Sequence, residues 1–449
     1  MELMSPIESM MFLAESPGHP MHVAGLQLFR PPPGAGPEFV RDYYEAMMAC
    51  RDVAPLFRKQ RVALPGGLSA GWTSERDVDL DYHVRRSALP HPGRVRELLE
   101  LTSRLHAGML DRHRPLWETH LIEGLQDGRF AVYTKIHHAV VDGVSALNLL
   151  QESLSADPLE PEIRAPWASP GRGEDPTGSP STLRTLGRTI RSVPTLGLST
   201  LGLARAALLE QQLTLPFGVP RTMLNVPVGG ARRCAAESWP LQRIKDVKDA
   251  SGATVNDVVL AMCAGALRAY LTDQHALPEK PLVAMVPVSL RTAEDARGGN
   301  MVSAVLANLA THVDDPARRL EMISASMRNN KAVLMQLPRP QAMALGMLLL
   351  SPVVLGGLPG VSQMPPPFNV CISNVPGARK PLYANGAQLQ ANYPMSIAAN
   401  GQALNITLTS SADSLDFGLV GCRRSVPHLQ RLLGHLETAL KELESAVGL

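Results

Sequence analysis

The sequence predicts an α/β protein of two halves joined by a basic connecting segment. Three observations carry that prediction. Strand-like alternation and helical periodicity interleave through the first 155 residues. The composition then changes abruptly, and a second run of strand and helix patterns begins at Leu224.

Each element follows from its local pattern. Runs at Val23–Phe29, Leu80–Val84 and Phe130–Ile136 read as strands, and Glu38–Ala49 and Val95–Leu110 read as amphipathic helices. Between Asp157 and Pro180, proline, glycine, serine and acidic residues crowd together, which is linker composition. The next stretch, Leu183–Leu215, places Arg184, Arg188 and Arg191 on one helical face and Leu183, Leu186, Ile190 and Val193 on another. A basic amphipathic helix of this kind either lies on an anionic membrane surface or packs on its own protein with its arginines wet. In the second half, Thr254 and Asp257 have capping-box spacing at the start of an apolar helix, Val255–Thr272. Strands are expected at Leu282–Val288 and Val302–Leu309, a long helix at Pro316–Gln336, and strands near Asn369–Ser373, Ala403–Thr409 and Asp416–Gly421. A closing helix is expected at Pro427–Ala446. The predicted division is 1–156, 157–215 and 216–449.

Composition narrows the function classes. At 449 residues the chain is long enough for two or three domains, and 45% hydrophobic with 19% charged residues fits a globular core, not a disordered or fibrous chain. A formal net charge of +2 offers no reason to expect a nucleic acid partner. Cys50, Cys234, Cys263, Cys371 and Cys422 are scattered without a C-x-x-C pair, so neither a zinc knuckle nor a disulfide framework is expected, and a reducing cytoplasm is the natural compartment. The opening residues lack the basic and long apolar regions of a secretory signal. No residue from Pro340 to Ala378 is charged. Its core, Ala342–Leu358, is interrupted by Pro352 and Gly356–Gly357, so a buried helix or one lying on a membrane surface is expected in preference to a spanning helix.

The sharpest local signal is His137-His138-Ala139-Val140-Val141-Asp142-Gly143, set between a strand pattern and a helix pattern. Such junctions expose side chains at a sheet edge, where sites form. Asp142 suits a helix N-cap, and Gly143 lets the backbone turn or approach a ligand closely. An imidazole with an ordinary pKa near 6.5 is suited to take a proton from a hydroxyl as it attacks, help that contributes typically 10²–10⁴-fold. One fixed histidine could thus drive alcoholysis of a thioester without a covalent enzyme intermediate. The pair could equally be structural, or could ligate a metal with residues from elsewhere in the chain. The Gly67-Leu68-Ser69-Ala70-Gly71 match to the serine-hydrolase elbow lacks the strand before and the helix after that the elbow needs, and reads as a turn between strands. No phosphate-binding P-loop is present.

At His137–Gly143 the sequence resembles the HHxxxDG acyltransferases, and further blocks extend the likeness. Pro115-Leu116-Trp117-Glu118 resembles the PLW element, and Pro220-Arg221-Thr222, Leu224-Asn225 and Arg232-Arg233 resemble a further block. Asn256–Ala261, Pro287–Arg291, Ser373–Gly377 and Leu404-Asn405-Ile406 follow in order. Together they resemble the bacterial wax ester synthase/diacylglycerol acyltransferase family across nearly the whole chain, with SPIESMMFLAES resembling its mycobacterial branch. Glu8 stands where family members more often carry aspartate.

The resemblance implies a fold of two similar CoA-dependent acyltransferase-like domains with mixed β-sheets and a tunnel between them. It implies that His138 is the general base, His137 supports the loop, Asp142 holds the loop, often through an arginine salt bridge, and Gly143 leaves room for substrate. Asn256, at the start of a helix, is a further candidate, for oxyanion or substrate stabilisation, or else simply holds its own turn. Asp416-Phe417-Gly418 resembles a structural motif of plant relatives. The implied reaction moves a long-chain acyl group from acyl-CoA, the cosubstrate, to diacylglycerol or a fatty alcohol. No permanently bound cofactor or metal is expected, and the protein is expected at a membrane or lipid-droplet surface, held peripherally. Two alternatives stand beside it: a condensation-type acyltransferase using carrier-protein thioesters, and a non-catalytic lipid-surface protein.

Overall fold

The computed structural model describes residues 2–63, 69–160, 163–168, 218–289, 302–338, 341–342, 345–346, 349 and 366–449. The basic segment Leu183–Leu215 and most of Ala342–Leu358 lie outside the described residues.

Two six-stranded mixed sheets organise the chain. In the first, strands β2 (His22–Arg30), β7 (Phe130–His137) and β6 (Trp117–Glu123) are antiparallel neighbours, and β5 (Val84–Ala88) joins β6 in parallel. On the other side of β2 come β13 (Ala387–Met395) and the short β12 (Tyr383–Ala384). The second sheet runs β10 (Val302–Asn308), β9 (Val283–Ser289), β11 (Val370–Ala378), β14 (Leu404–Ser411), β15 (Ser414–Cys422), β8 (Arg232–Pro240), with β9, β11 and β14 parallel. A small antiparallel sheet of β1 (Glu2–Leu3), β4 (Ser69–Ser74) and β3 (Lys59–Ala63) stands apart. The α/β class with two mixed sheets is therefore what the chain adopts.

Residues of the 216–449 segment build both sheets, since β12 and β13 complete the first one. Cys234, Ala236 and Val420 of the second sheet share one apolar cluster with Ala24, Leu26 and Tyr133 of the first. Asp416 on β15 accepts the Asn392 N–H of β13 at 2.7 Å, together with the hydroxyls of Ser238 and Ser414. Burial pushes this carboxyl up to about 6, against those three donors. Next to it, Gly418 lies so close to β13 that a Cβ would stand 1.9 Å from the Pro394 carbonyl oxygen. The Asp-Phe-Gly motif is thus a clasp between the sheets.

Helices follow the expected patterns with small changes at their ends. The helix Val255–Asp273 opens on the predicted capping box, with Thr254 Oγ1 accepting the Asp257 N–H and Asp257 Oδ2 accepting the Thr254 N–H. It is apolar and long enough to cross a membrane, but it is the buried centre of the second half, packed between the helices Pro316–Gln336 and Arg431–Ala446. Glu8 completes the capping box on Ser5 that starts the helix Pro6–Ala14, a role its longer side chain fills directly.

Two expectations are corrected. Leu80–Val84 is a helical turn, Leu80–His83, before a strand that begins at Val84, because Asp79 caps that turn by accepting the Tyr82 N–H. The last helix starts at Arg431, not Pro427, because His428 holds a left-handed φ of 54°. Of the Gly67–Gly71 match, Ser69, Ala70 and Gly71 lie within strand β4, which pairs in antiparallel fashion with β3, so the serine stands on a strand and not at a strand-to-helix elbow; Gly67 and Leu68 lie outside the described residues.

Gly418→Ala should lower the unfolding free energy measured in urea by roughly 1–3 kcal/mol, as for overpacking in a filled core. Unchanged stability would show that the two sheets do not need this close approach.

Candidate active site

Strand β7 delivers the histidine pair. Its register places His22 opposite His137, and the ladder continues one residue further: the His138 N–H donates to the Met21 carbonyl at 2.8 Å. On the other side the His137 N–H donates to the carbonyl of Leu116 at 3.0 Å, so the Pro115–Glu118 block holds the strand end. Trp117 of that block donates to the Phe57 carbonyl and stacks on Trp167. Past His138 the chain turns, and helix Gly143–Glu152 begins.

The two rings have different surroundings. His137 is fully buried. Its Nδ1 accepts the Ala139 N–H at 3.1 Å, which leaves the ring proton on Nε2. That nitrogen faces Glu15 Oε1 at 3.4 Å, and the ring stacks on Phe12 with centroids 4.5 Å apart and planes 10° from parallel. His138 is half-buried. Its Nδ1 is enclosed without an aligned partner among the described residues, so Nε2 is the nitrogen left to face outward. Enclosure lowers the pKa of His138; its own main-chain carbonyl and Asp142 oppose that shift, and His137 adds to it. The ring is therefore neutral at pH 7 and able to accept a proton.

Asp142 is the N-cap of the helix Gly143–Glu152. Its carboxylate accepts the Ser145 N–H at 2.8 Å and the Ser145 hydroxyl at 3.0 Å. No arginine pairs with it among the described residues. Gly143 has open space where a Cβ would stand. The helix behind it presses on β2 at Gly25, where a Cβ would lie 2.6 Å from Leu150, and reaches across to β11 of the second sheet. His137, His138, Asp142 and Gly143 thus form one loop at the seam of the two sheets. Asn256 does not join them by any described bond. It is the half-buried second residue of a helix whose main contacts are with other helices of the second half.

Sequence reasoning missed the supports of this loop: Phe12, Glu15, Met21 and Arg112. Glu15 is the first residue after an apolar helix, in a context (Leu-Ala-Glu-Ser-Pro) that reads as an ordinary exposed helix end. Other residues of the resemblance blocks are structural ties. Asn225 donates to the Phe368 and Gly401 carbonyls, and Arg232 donates to the carbonyls of Gly18 and Ala398. Among the described residues no group of three or more His, Cys, Asp or Glu is placed to hold a metal ion.

Comparison with known proteins bears on the family and the fold. The family model of the wax ester synthase/diacylglycerol acyltransferase catalytic domain matches residues 4–259, and that of the WS/DGAT C-terminal domain matches residues 298–444. A Mycobacterium tuberculosis protein named as a putative diacylglycerol O-acyltransferase is 66% identical over 448 residues, covering 99% of this chain and 100% of the relative. The O-acyltransferase WSD of Acinetobacter baylyi is 40% identical over 461 residues, covering 100% and 98%. Among solved structures, the wax ester synthase/diacylglycerol acyltransferase of Marinobacter aquaeolei superposes with a TM-score of 0.81 at 40% identity, with full coverage of both chains. The starter condensation domain of rhizomide synthetase shares the fold at 15% identity, with a TM-score of 0.61 and coverage of 99% and 94%.

Asp142→Ala removes a cap that is worth about 1 kcal/mol. Urea unfolding should show that loss, and a variant as stable as the parent would mean the cap contributes nothing to the loop.

Proposed function

Since the chain belongs to the wax ester synthase/diacylglycerol acyltransferase family, and is accordingly an O-acyltransferase acting on diacylglycerol or a fatty alcohol, we propose that His138 is its general base and long-chain acyl-CoA its donor. The observation that supports this most is the contrast between the two rings: His137 is sealed, while His138 is anchored through its backbone and keeps a neutral, half-buried ring at the seam.

The reaction needs no covalent enzyme intermediate. Nε2 of His138 takes the proton of the acceptor hydroxyl as its oxygen attacks the thioester carbonyl carbon. The tetrahedral intermediate collapses, the C–S bond breaks, and the departing thiolate receives the same proton from the imidazolium, giving the ester and free CoA. Gly143 leaves space beside the ring for the reacting groups. Asp142 fixes the helix that backs the loop and does not touch the reacting atoms. Asn256 is assigned to oxyanion or substrate stabilisation only by its place at a helix start. The acceptor and the acyl chain are apolar, so the working location proposed is the cytoplasmic surface of a membrane or lipid droplet, with the protein attached peripherally and the substrates meeting in a tunnel between the halves.

His138→Ala should abolish CoA release, measured with a thiol reagent and either acceptor, while circular dichroism shows an intact fold. His137→Ala should retain more activity. Near-normal turnover by His138→Ala would refute the base assignment, and turnover with acyl-carrier protein but none with acyl-CoA would refute the donor.

The pH profile gives an independent check. A base works only when deprotonated, and His138 is held below the ordinary imidazole value of about 6.5. The rate should rise with pH along an acid limb centred below that value and then level off. A limb centred well above it would contradict the environment of His138.

A further inference from the structure

We infer that Glu15 is a positioning residue for the reacting imidazole, an inference that rests on the reading of His138 as the base. Its side chain is sealed from solvent at the end of helix Pro6–Ala14. Two donors bond its two oxygens, and a ring nitrogen lies close to one of them without an aligned hydrogen bond. The Met21 N–H donates to Oε1 at 3.1 Å, His137 Nε2 faces the same oxygen at 3.4 Å, and Arg112 Nε donates to Oε2 at 2.8 Å. Arg112 Nη2 also reaches the carbonyls of Phe12 and Glu15, and Phe12 is the ring stacked on His137.

The carboxylate therefore holds His138 from two sides. On one side it fixes the ring of the preceding residue. On the other it accepts the N–H of Met21, the residue whose carbonyl, one peptide further on, takes the His138 N–H. Burying a carboxylate is expensive unless it is paired and hydrogen-bonded, and packing alone would be served by an apolar side chain at this position. Burial pushes the Glu15 carboxyl up, but the bonds and charges of His137, Met21 and Arg112 outweigh it, so the group stays ionised. Only acceptors match the donors that surround it. A glutamine of the same shape would turn an amide NH₂ towards either Arg112 or the pair formed by Met21 N–H and His137 Nε2–H.

The test compares Glu15→Gln, Glu15→Asp and the parent as purified full chains. Misplacement of a reacting group by about 1 Å can cost 10²-fold, so Glu15→Gln should lose on the order of 10–100-fold in kcat with KM for acyl-CoA and acceptor unchanged. Glu15→Asp, which keeps two acceptor oxygens, should recover part of that rate. Nitrogen NMR of ¹⁵N-labelled histidines should show His137 as the Nε2–H tautomer in the parent and a tautomer mixture in Glu15→Gln. If the glutamine variant does not fold, the aspartate variant carries the same comparison. Parental kcat in Glu15→Gln overturns the inference. So does an equal loss in kcat and affinity with the His137 tautomer unchanged, which would mark a merely structural residue. Turnover by His138→Ala would strike the base assignment instead, and the His137 spectrum would still decide the role of Glu15.

Discussion

The site depends on one main-chain hydrogen bond, from the N–H of His138 to the carbonyl of Met21. The residue proposed as the general base needs one nitrogen free and everything else about it fixed. The bond meets that need because it extends the β2–β7 ladder one residue past the His22–His137 pair, so the backbone of His138 has the rigidity of a sheet while its ring lies beyond the sheet's edge. The chain then leaves the ladder, and four residues after His138 Asp142 caps the start of a helix. An imidazole at such a junction loses little further freedom on binding substrate, which is how preorganisation lowers a barrier.

The two sheets make that junction a seam. The helix that follows Asp142 rests on Gly25 of the first sheet and reaches β11 of the second. Strand β13 belongs by sequence to the second half and by hydrogen bonding to the first, and Asp416 and Gly418 hold it against β15. Neither half could complete its core alone, since residues of both meet in one apolar cluster. The loop of His138 is thereby set at a boundary whose two walls come from different parts of the chain, a usual place for a site that must bring two substrates together.

Much of this was legible in the sequence, and the limits have physical causes. Strong helical periods gave Phe39–Ala49 and Pro316–Gln336 almost to the residue, and the Thr254 cap was readable because capping is local chemistry. Strands Arg232–Pro240 and Ala387–Met395 were invisible because charged residues, glutamines and a proline interrupt their alternation, while tertiary partners cover them on the folded protein. The histidine loop was found because its residue types are chemically unusual in that order. Glu15 was not, because its meaning comes from Arg112 and His137, which lie about a hundred residues away in sequence and touch it only after β2 and β7 pair.

The most direct test is a crystal structure of the protein with a fatty alcohol and a thioether analogue of acyl-CoA, which lacks the reactive carbonyl. The account predicts the alcohol oxygen within hydrogen-bond reach of His138 Nε2, about 2.6–3.2 Å, and the analogue's sulfur on the same side of the ring. An alcohol bound with its oxygen turned away from that nitrogen, or held by another base, would contradict it.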